Sequence, residues 1–153
     1  GYSWMDHEFS TSVLSKDQIG WDWFSIQLDD GSEIMMFQIR KADGSIDPFS
    51  SGAWISSAGK TTKLTQQDFQ ISVNKTWRSP HSNTTYPSGW EITIPSLELS
   101  VNVDPLMPDQ ELNLSYSYWE GAVKINGARG SQAISGFGYT ELTGYAVSMG
   151  GEF

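Results

Sequence analysis

The stretch Trp90-Glu91-Ile92-Thr93-Ile94-Pro95-Ser96-Leu97-Glu98-Leu99-Ser100-Val101-Asn102-Val103 alternates apolar and polar side chains with one break at Pro95-Ser96. Successive side chains of an extended strand point to opposite faces, so strict period two marks a strand with one dry and one wet face. The same pattern recurs on either side. Phe69, Ile71 and Val73 alternate with Gln70, Ser72 and Asn74, and Trp77 keeps the phase. Leu112, Leu114, Tyr116 and Tyr118 alternate with Asn113, Ser115 and Ser117. Four such segments predict antiparallel strands packed on a core by one face.

Working outward, Tyr2 to Ser10 reads as a strand, with Met5, His7 and Phe9 on one face and Trp4, Asp6 and Glu8 on the other. The first set is the more apolar, which turns His7 inward. Ser15-Lys16-Asp17-Gln18 is a polar connection. Trp21 to Leu28 and Glu33 to Arg40 are strands joined at Asp29-Asp30-Gly31, where an Asp-Gly pair supplies positive φ at little cost. Both are apolar on both faces in part (Trp23 and Phe24, Met35 and Met36), so each is covered on two sides or lines a ligand cavity. Gly52 to Ser57 and Thr61 to Leu64 flank a turn at Ala58-Gly59-Lys60. Pro80 to Gly89 and Asp104 to Asp109 read as loops, and Gly136 to Tyr145 as a closing strand kinked by Gly136, Gly138 and Gly144.

Some ten short strands and no strong helical pattern leave a sandwich or an up-and-down barrel. Glycines within strands and long aromatic segments favour the barrel, which needs sharp bends at its corners. The expectation is one β-barrel domain over residues 1–147 and a flexible tail at 148–153. The chain has 153 residues, enough for one domain with a core of its own.

Composition narrows the function classes. Net charge is −9 and no basic run occurs, so nucleic acid and anionic membrane surfaces are poor partners. No apolar run has the length of a membrane span. Without cysteine there is no disulfide framework and no thiolate zinc site, and the two histidines, His7 and His81, lie far apart with no ligand spacing around either. Neither metal nor cofactor is expected. No Gly-x-Ser-x-Gly elbow supports nucleophilic hydrolysis.

The candidate chemistry gathers at Asp6-His7-Glu8, an imidazole between two acids. Adjacent strand residues face opposite ways, so one side of the trio serves any one pocket unless a bulge intervenes. Glu120 continues the phase of Leu112, Leu114, Tyr116 and Tyr118, which predicts an acid on the apolar face with a raised proton affinity, unless it pairs with Arg40, Arg78 or Arg129. Glu141 shares a face with Phe137 and Tyr139. The expected ligand wall is Trp4, Phe9, Trp23, Phe37, Tyr116, Tyr118 and Tyr139, since the core and the ligand wall of a small barrel overlap.

Four segments carry a resemblance: Trp4-Met5-Asp6-His7-Glu8-Phe9, then Gly20-Trp21-Asp22-Trp23-Phe24 with Leu28-Asp29-Asp30-Gly31, then Tyr118-Trp119-Glu120-Gly121, and Gly138-Tyr139-Thr140-Glu141-Leu142-Thr143-Gly144-Tyr145. In order and spacing the chain resembles the lipocalin-like family of AttH-like proteins, carotenoid 1,2-hydratases and predicted secreted hydrolases. The resemblance implies two barrels in tandem, of which this chain is similar to the second, and a periplasmic or secreted setting. It also implies a histidine followed two residues later by an aromatic, a pattern that His7 and Phe9 fit. The tyrosine and aspartate of the hydratase relatives have no counterpart in Met35-Met36-Phe37-Gln38-Ile39, so the hydratase set is carried only in part.

Three readings follow. One is a module that binds an apolar small molecule, lipid or isoprenoid-like. Another is a hydratase-, lyase- or isomerase-type enzyme using His7 with Asp6, Glu8 or Glu120. The third is a structural half that packs on a second barrel or a homodimer mate, for which an apolar outer patch at Trp4, Trp21 or Trp23 is expected.

Overall fold

A computed structural model describes residues 14–113 and 117–149 of the chain. The strand expected over Tyr2 to Ser10 and its residues Trp4, Asp6, His7, Glu8 and Phe9 lie outside the described residues, as does Tyr116.

The strands are β1 (Gln18–Leu28), β2 (Glu33–Lys41), β3 (Ser51–Ile55), β4 (Thr61–Thr65), β5 (Gln70–Val73), β6 (Thr76–Arg78), β7 (Thr85–Pro87), β8 (Trp90–Ile94), β9 (Leu99–Pro105), β10 (Glu111–Asn113), β11 (Ser117–Arg129) and β12 (Gln132–Leu142). All pairings are antiparallel, and no α-helix occurs among the described residues. The main sheet runs β4-β3-β2-β1-β12-β11-β9-β8-β5, β10 adds to β11, and β6-β7 form a separate hairpin. The all-β expectation holds. Among the described residues the ladder ends at β4 on one side and β5 on the other, with no hydrogen-bonded closure between them. Each pairing reverses direction, and nine strands lie in the row, so β4 and β5 run the same way. They are successive pieces of one run, offset by a turn in which Asp68 N–H donates to the Thr65 carbonyl at 3.0 Å. The first piece pairs with β3 and the second with β8.

One face of the sheet forms the core. Phe24, Ile26 and Leu28 of β1 meet Ile34 and Met36 of β2, then Trp90, Ile92 and Ile94 of β8, Leu99, Val101 and Val103 of β9, and Trp119, Val123 and Ile125 of β11. Trp90 stands edge-on to Phe24 at 5.5 Å and leans on Trp119 at 6.2 Å. Large side chains therefore fill the inward space.

Several expected boundaries shift, each for a local reason. Leu112 to Tyr118 is not one strand: Leu112 pairs with Tyr118 and Glu111 with Trp119, so β10 and β11 form a hairpin across which the alternation happens to continue. Trp119 then takes the inward phase and Glu120 the outward one. Trp77 belongs to the β6-β7 hairpin, stacked on Tyr86 at 6.3 Å, instead of extending β5. The expected loop Pro80 to Gly89 contains β7. Leu97 lies in a 3-10 turn, Pro95–Leu97, closed by Glu98 in the left-handed region. Nor is β12 kinked: it is one strand of 11 residues. Gly136 and Gly138 are needed for close approach, because a Cβ there would lie 2.2 Å from the Gln27 carbonyl oxygen and 2.3 Å from that of Ser25. Of the expected tail, Met149 is buried and its N–H donates to the Ile19 carbonyl at 3.0 Å. Residues 150–153 lie outside the described residues.

Candidate functional site

The described members of the expected site come together, on the outward face. Ladder register places Trp23 beside Glu141 and Phe37, and Glu120 directly opposite Glu141. Tyr139 lies between Ser25 and Ala122. Trp21 Nε1 donates to Glu141 Oε1 at 3.0 Å. Burial, with the charges of Glu120 and Glu141, pushes the Tyr139 phenol up. Trp23 is buried, Trp21, Phe37, Tyr118 and Glu120 are half-buried, and Phe137 and Tyr139 are exposed. This face thus carries an apolar patch around two acids. Glu120 shares its face with Leu112 and Tyr118 as the alternation predicted, but that face is the outward one.

A buried acid does lie on the inward face, and it is Asp22. It is 1% exposed. Gln38 Nε2 donates to Oδ2 at 2.9 Å, Arg40 Nε to Oδ1 at 3.1 Å, and the Tyr145 hydroxyl to Oδ1 at 3.0 Å. The Arg40 guanidinium lies 3.8 Å over the Tyr145 ring and donates to the Thr143 carbonyl. Gly20 makes room for it: a Cβ there would meet the Thr143 oxygen at 2.3 Å and Arg40 Nη2 at 2.8 Å. Burial pushes the Asp22 carboxyl up, and Arg40, Gln38 and Tyr145 pull it back. With its oxygens engaged by three side chains, Asp22 is a clamp joining β1, β2 and the C-terminal segment. The sequence signal was an acid inside Trp21-Asp22-Trp23, with Arg40 on the partner strand.

Next to it, the Tyr86 ring lies 5.7 Å from that of Tyr145, and the Tyr86 hydroxyl donates to Glu111 Oε1 at 2.8 Å. The Ser79 and Ser82 hydroxyls donate to the same carboxylate. Burial alone would raise the Glu111 carboxyl, but these three hydroxyls hold it below its ordinary value. A depressed carboxylate contributes stability that is present above its unfolded pKa and lost as pH falls through the folded one. The melting temperature of the native chain should therefore fall more steeply below about pH 4.5 than that of Glu111→Gln. Equal slopes in a pH series of thermal melts would refute this role. His81, on the same loop, lies 3.0 Å from Asp109 and is exposed.

At the other end, Arg129 reaches across from β11. It pairs with Asp30, donates from Nη2 to Ser32 Oγ at 3.1 Å, and lies 5.7 Å over the Trp54 ring of β3. Burial alone would raise the Asp30 carboxyl, but hydrogen bonds from Ser32 and the Arg129 charge hold it below its ordinary value. Arg129 Nε and Trp54 Nε1 are both buried without a hydrogen-bond partner among the described residues. Trp54, Ile71 and Leu97 are half-buried against the core. They stand on β3, on β5 and on the β8-β9 turn, the elements that flank the break in the ladder. Beside Ser32 an open groove of about 480 Å³ is lined by Leu28, Ser32, Glu33, Gly136 and Phe137.

The AttH-like family model matches residues 1–145. A crystal structure of a candidate AttH from Nitrosomonas europaea, at 2.00 Å, superposes with a TM-score of 0.78 at 38% sequence identity. The match covers 89% of this chain and 42% of that one, so the chain spans less than half the length of its relative. No curated protein matches. With a match over nearly the whole chain and a like-folded relative, the chain belongs to the AttH-like family.

Proposed function

We propose that this domain is a lipocalin-like barrel that binds an apolar small molecule where its ladder is interrupted. In this reading β4 and β5 share one strand position, so that eight positions ring the core. The observation that carries it is the half-buried inward surface of Trp54, Ile71 and Leu97 at that interruption. Apolar surface left accessible beside a packed core is where an apolar ligand gains most from leaving water. The neutral probe N-phenyl-1-naphthylamine should brighten and shift to the blue on addition of the protein. A saturating apolar ligand should raise the melting temperature. Ile71→Lys, which places a charge on that surface, should abolish probe binding while the protein stays folded by circular dichroism. If no probe or lipid-like ligand changes fluorescence or melting, the reading falls.

The outward face favours a second reading, packing against another barrel. Phe137 is 57% and Tyr139 38% exposed there, next to half-buried Trp21 and Phe37. Such a patch on a chain less than half as long as its relative is what an interdomain face would leave. Phe137→Ser with Tyr139→Ser should leave thermal stability within a few degrees and reduce self-association in sedimentation velocity. An unchanged sedimentation profile of a wholly monomeric parent would remove the homodimer form of this reading.

A further inference from the structure

Resting on the apolar-ligand reading above, we propose that Trp54 Nε1 and Arg129 Nε together bind an oxygen acceptor of that ligand, a carboxylate or a carbonyl. Both groups are hydrogen-bond donors only, and a guanidinium has five N–H donors to place. Asp30 accepts from Nη1 and Ser32 from Nη2 of Arg129, which fixes the fork and leaves Nε turned away from these two partners. Among the described residues Nε is buried and unpaired, and so is the indole N–H of Trp54. Two unpaired buried donors at one place run against the rule that buried polar groups find partners. The guanidinium carbon lies 5.7 Å from the centre of the indole ring. That contact sets the two side chains next to each other, so one ligand end can approach both donors.

The surroundings supply the rest of the ligand's chemistry. Register aligns Arg129 with Leu99 and Leu99 with Ile94, so an apolar row runs from the guanidinium along the inward face. On the opposite wall Trp54 pairs with Thr62 of β4, whose other side has no strand partner among the described residues. A ligand with an oxygen at one end and a hydrocarbon body fits this polarity: the oxygen meets the two donors, and the hydrocarbon lies on Trp54, Leu97 and Ile71. Asp30 already balances the Arg129 charge. The pair of donors therefore selects an acceptor atom, and full negative charge on the ligand is not required.

Displacement of N-phenyl-1-naphthylamine by octanoate, 2-octanone and octane separates the possibilities. The expected result is that an oxygen-bearing ligand binds about tenfold more tightly than octane, the worth of one hydrogen bond to a charged donor. Trp54→Phe keeps the ring and removes the donor, and Arg129→Lys keeps the charge and removes Nε. Each should shrink that gap while octane binds as before. Preference for octanoate over 2-octanone assigns a carboxylate, and the reverse assigns a neutral carbonyl. Equal displacement by all three ligands, or a gap that survives Trp54→Phe, overturns the inference and leaves apolar binding standing. A probe that never binds removes the underlying reading and this one with it.

Discussion

Asp22→Ala is expected to cost about 3–5 kcal/mol of unfolding free energy, a large share of what a domain of this size possesses. The substitution leaves Arg40, 15% exposed, without its counter-charge, and it strands the Tyr145 hydroxyl and the Gln38 amide. Removing one member of a buried pair is worse than removing both, because the remaining charge stays buried. Asp22→Ala with Arg40→Met should therefore cost less than the two single substitutions summed. Urea unfolding followed by tryptophan fluorescence measures all three. A single-site loss below about 1 kcal/mol would mean that water reaches Arg40 freely and that the clamp is a surface contact.

Trp90→Ala should be comparably damaging, at about 3–5 kcal/mol, because it empties the middle of the core. Trp90 is fully buried, with Phe24 at 5.5 Å and Trp119 at 6.2 Å. Among the described residues its indole N–H has no hydrogen-bond partner, and neither does the buried Thr140 hydroxyl. Trp90→Phe removes that unpaired donor as well as some volume, so its cost should be less than half that of Trp90→Ala. The comparison is made on denaturant midpoints at constant slope. If the phenylalanine variant is as unstable as the alanine one, the indole N–H has a partner in solution, and ring volume alone does not set the loss.

What could be read in the chain was whatever had a local cause. Asp29-Asp30-Gly31 turns as expected, with Gly31 at φ +78°, and Trp90–Ile94 is a strand with its apolar side chains buried. The four resembling segments led to the family that the comparisons support. What failed was the choice of which face of a strand is buried. Leu112 pairs with Tyr118, and Tyr118 and Glu120 share a strand face, so counting by twos grouped them correctly; that face is the outward one, and Trp119 takes the buried place. Glycines in β12 were read as bends, although the reason for them is the neighbouring backbone of β1, which is remote in sequence. Asp22 was visible as a residue but not as a buried acid, since its partners Gln38, Arg40 and Tyr145 come from a different strand and from beyond β12. Closure of the ladder was equally beyond reach, because the 66–69 turn had to be known to offset two pieces of one run.

The pairing of β1 with β12 has a kinetic consequence. It ties together parts of the chain as far apart as Trp21 and Glu141, 120 residues in sequence. The neighbouring ladders β1-β2-β3-β4 and β8-β9 and β11-β12 are built from hairpins whose loops are short. Loop closure over 120 residues is entropically dearer than any of these and is repaid only when Phe24, Leu142 and the Asp22 clamp are all in place. Two hairpin arrays can thus form early and independently, and their docking along β1 and β12 becomes the slow, late event of folding. Until that docking is complete, two long strand edges stand unpaired, which is the period in which this chain is most exposed to aggregation.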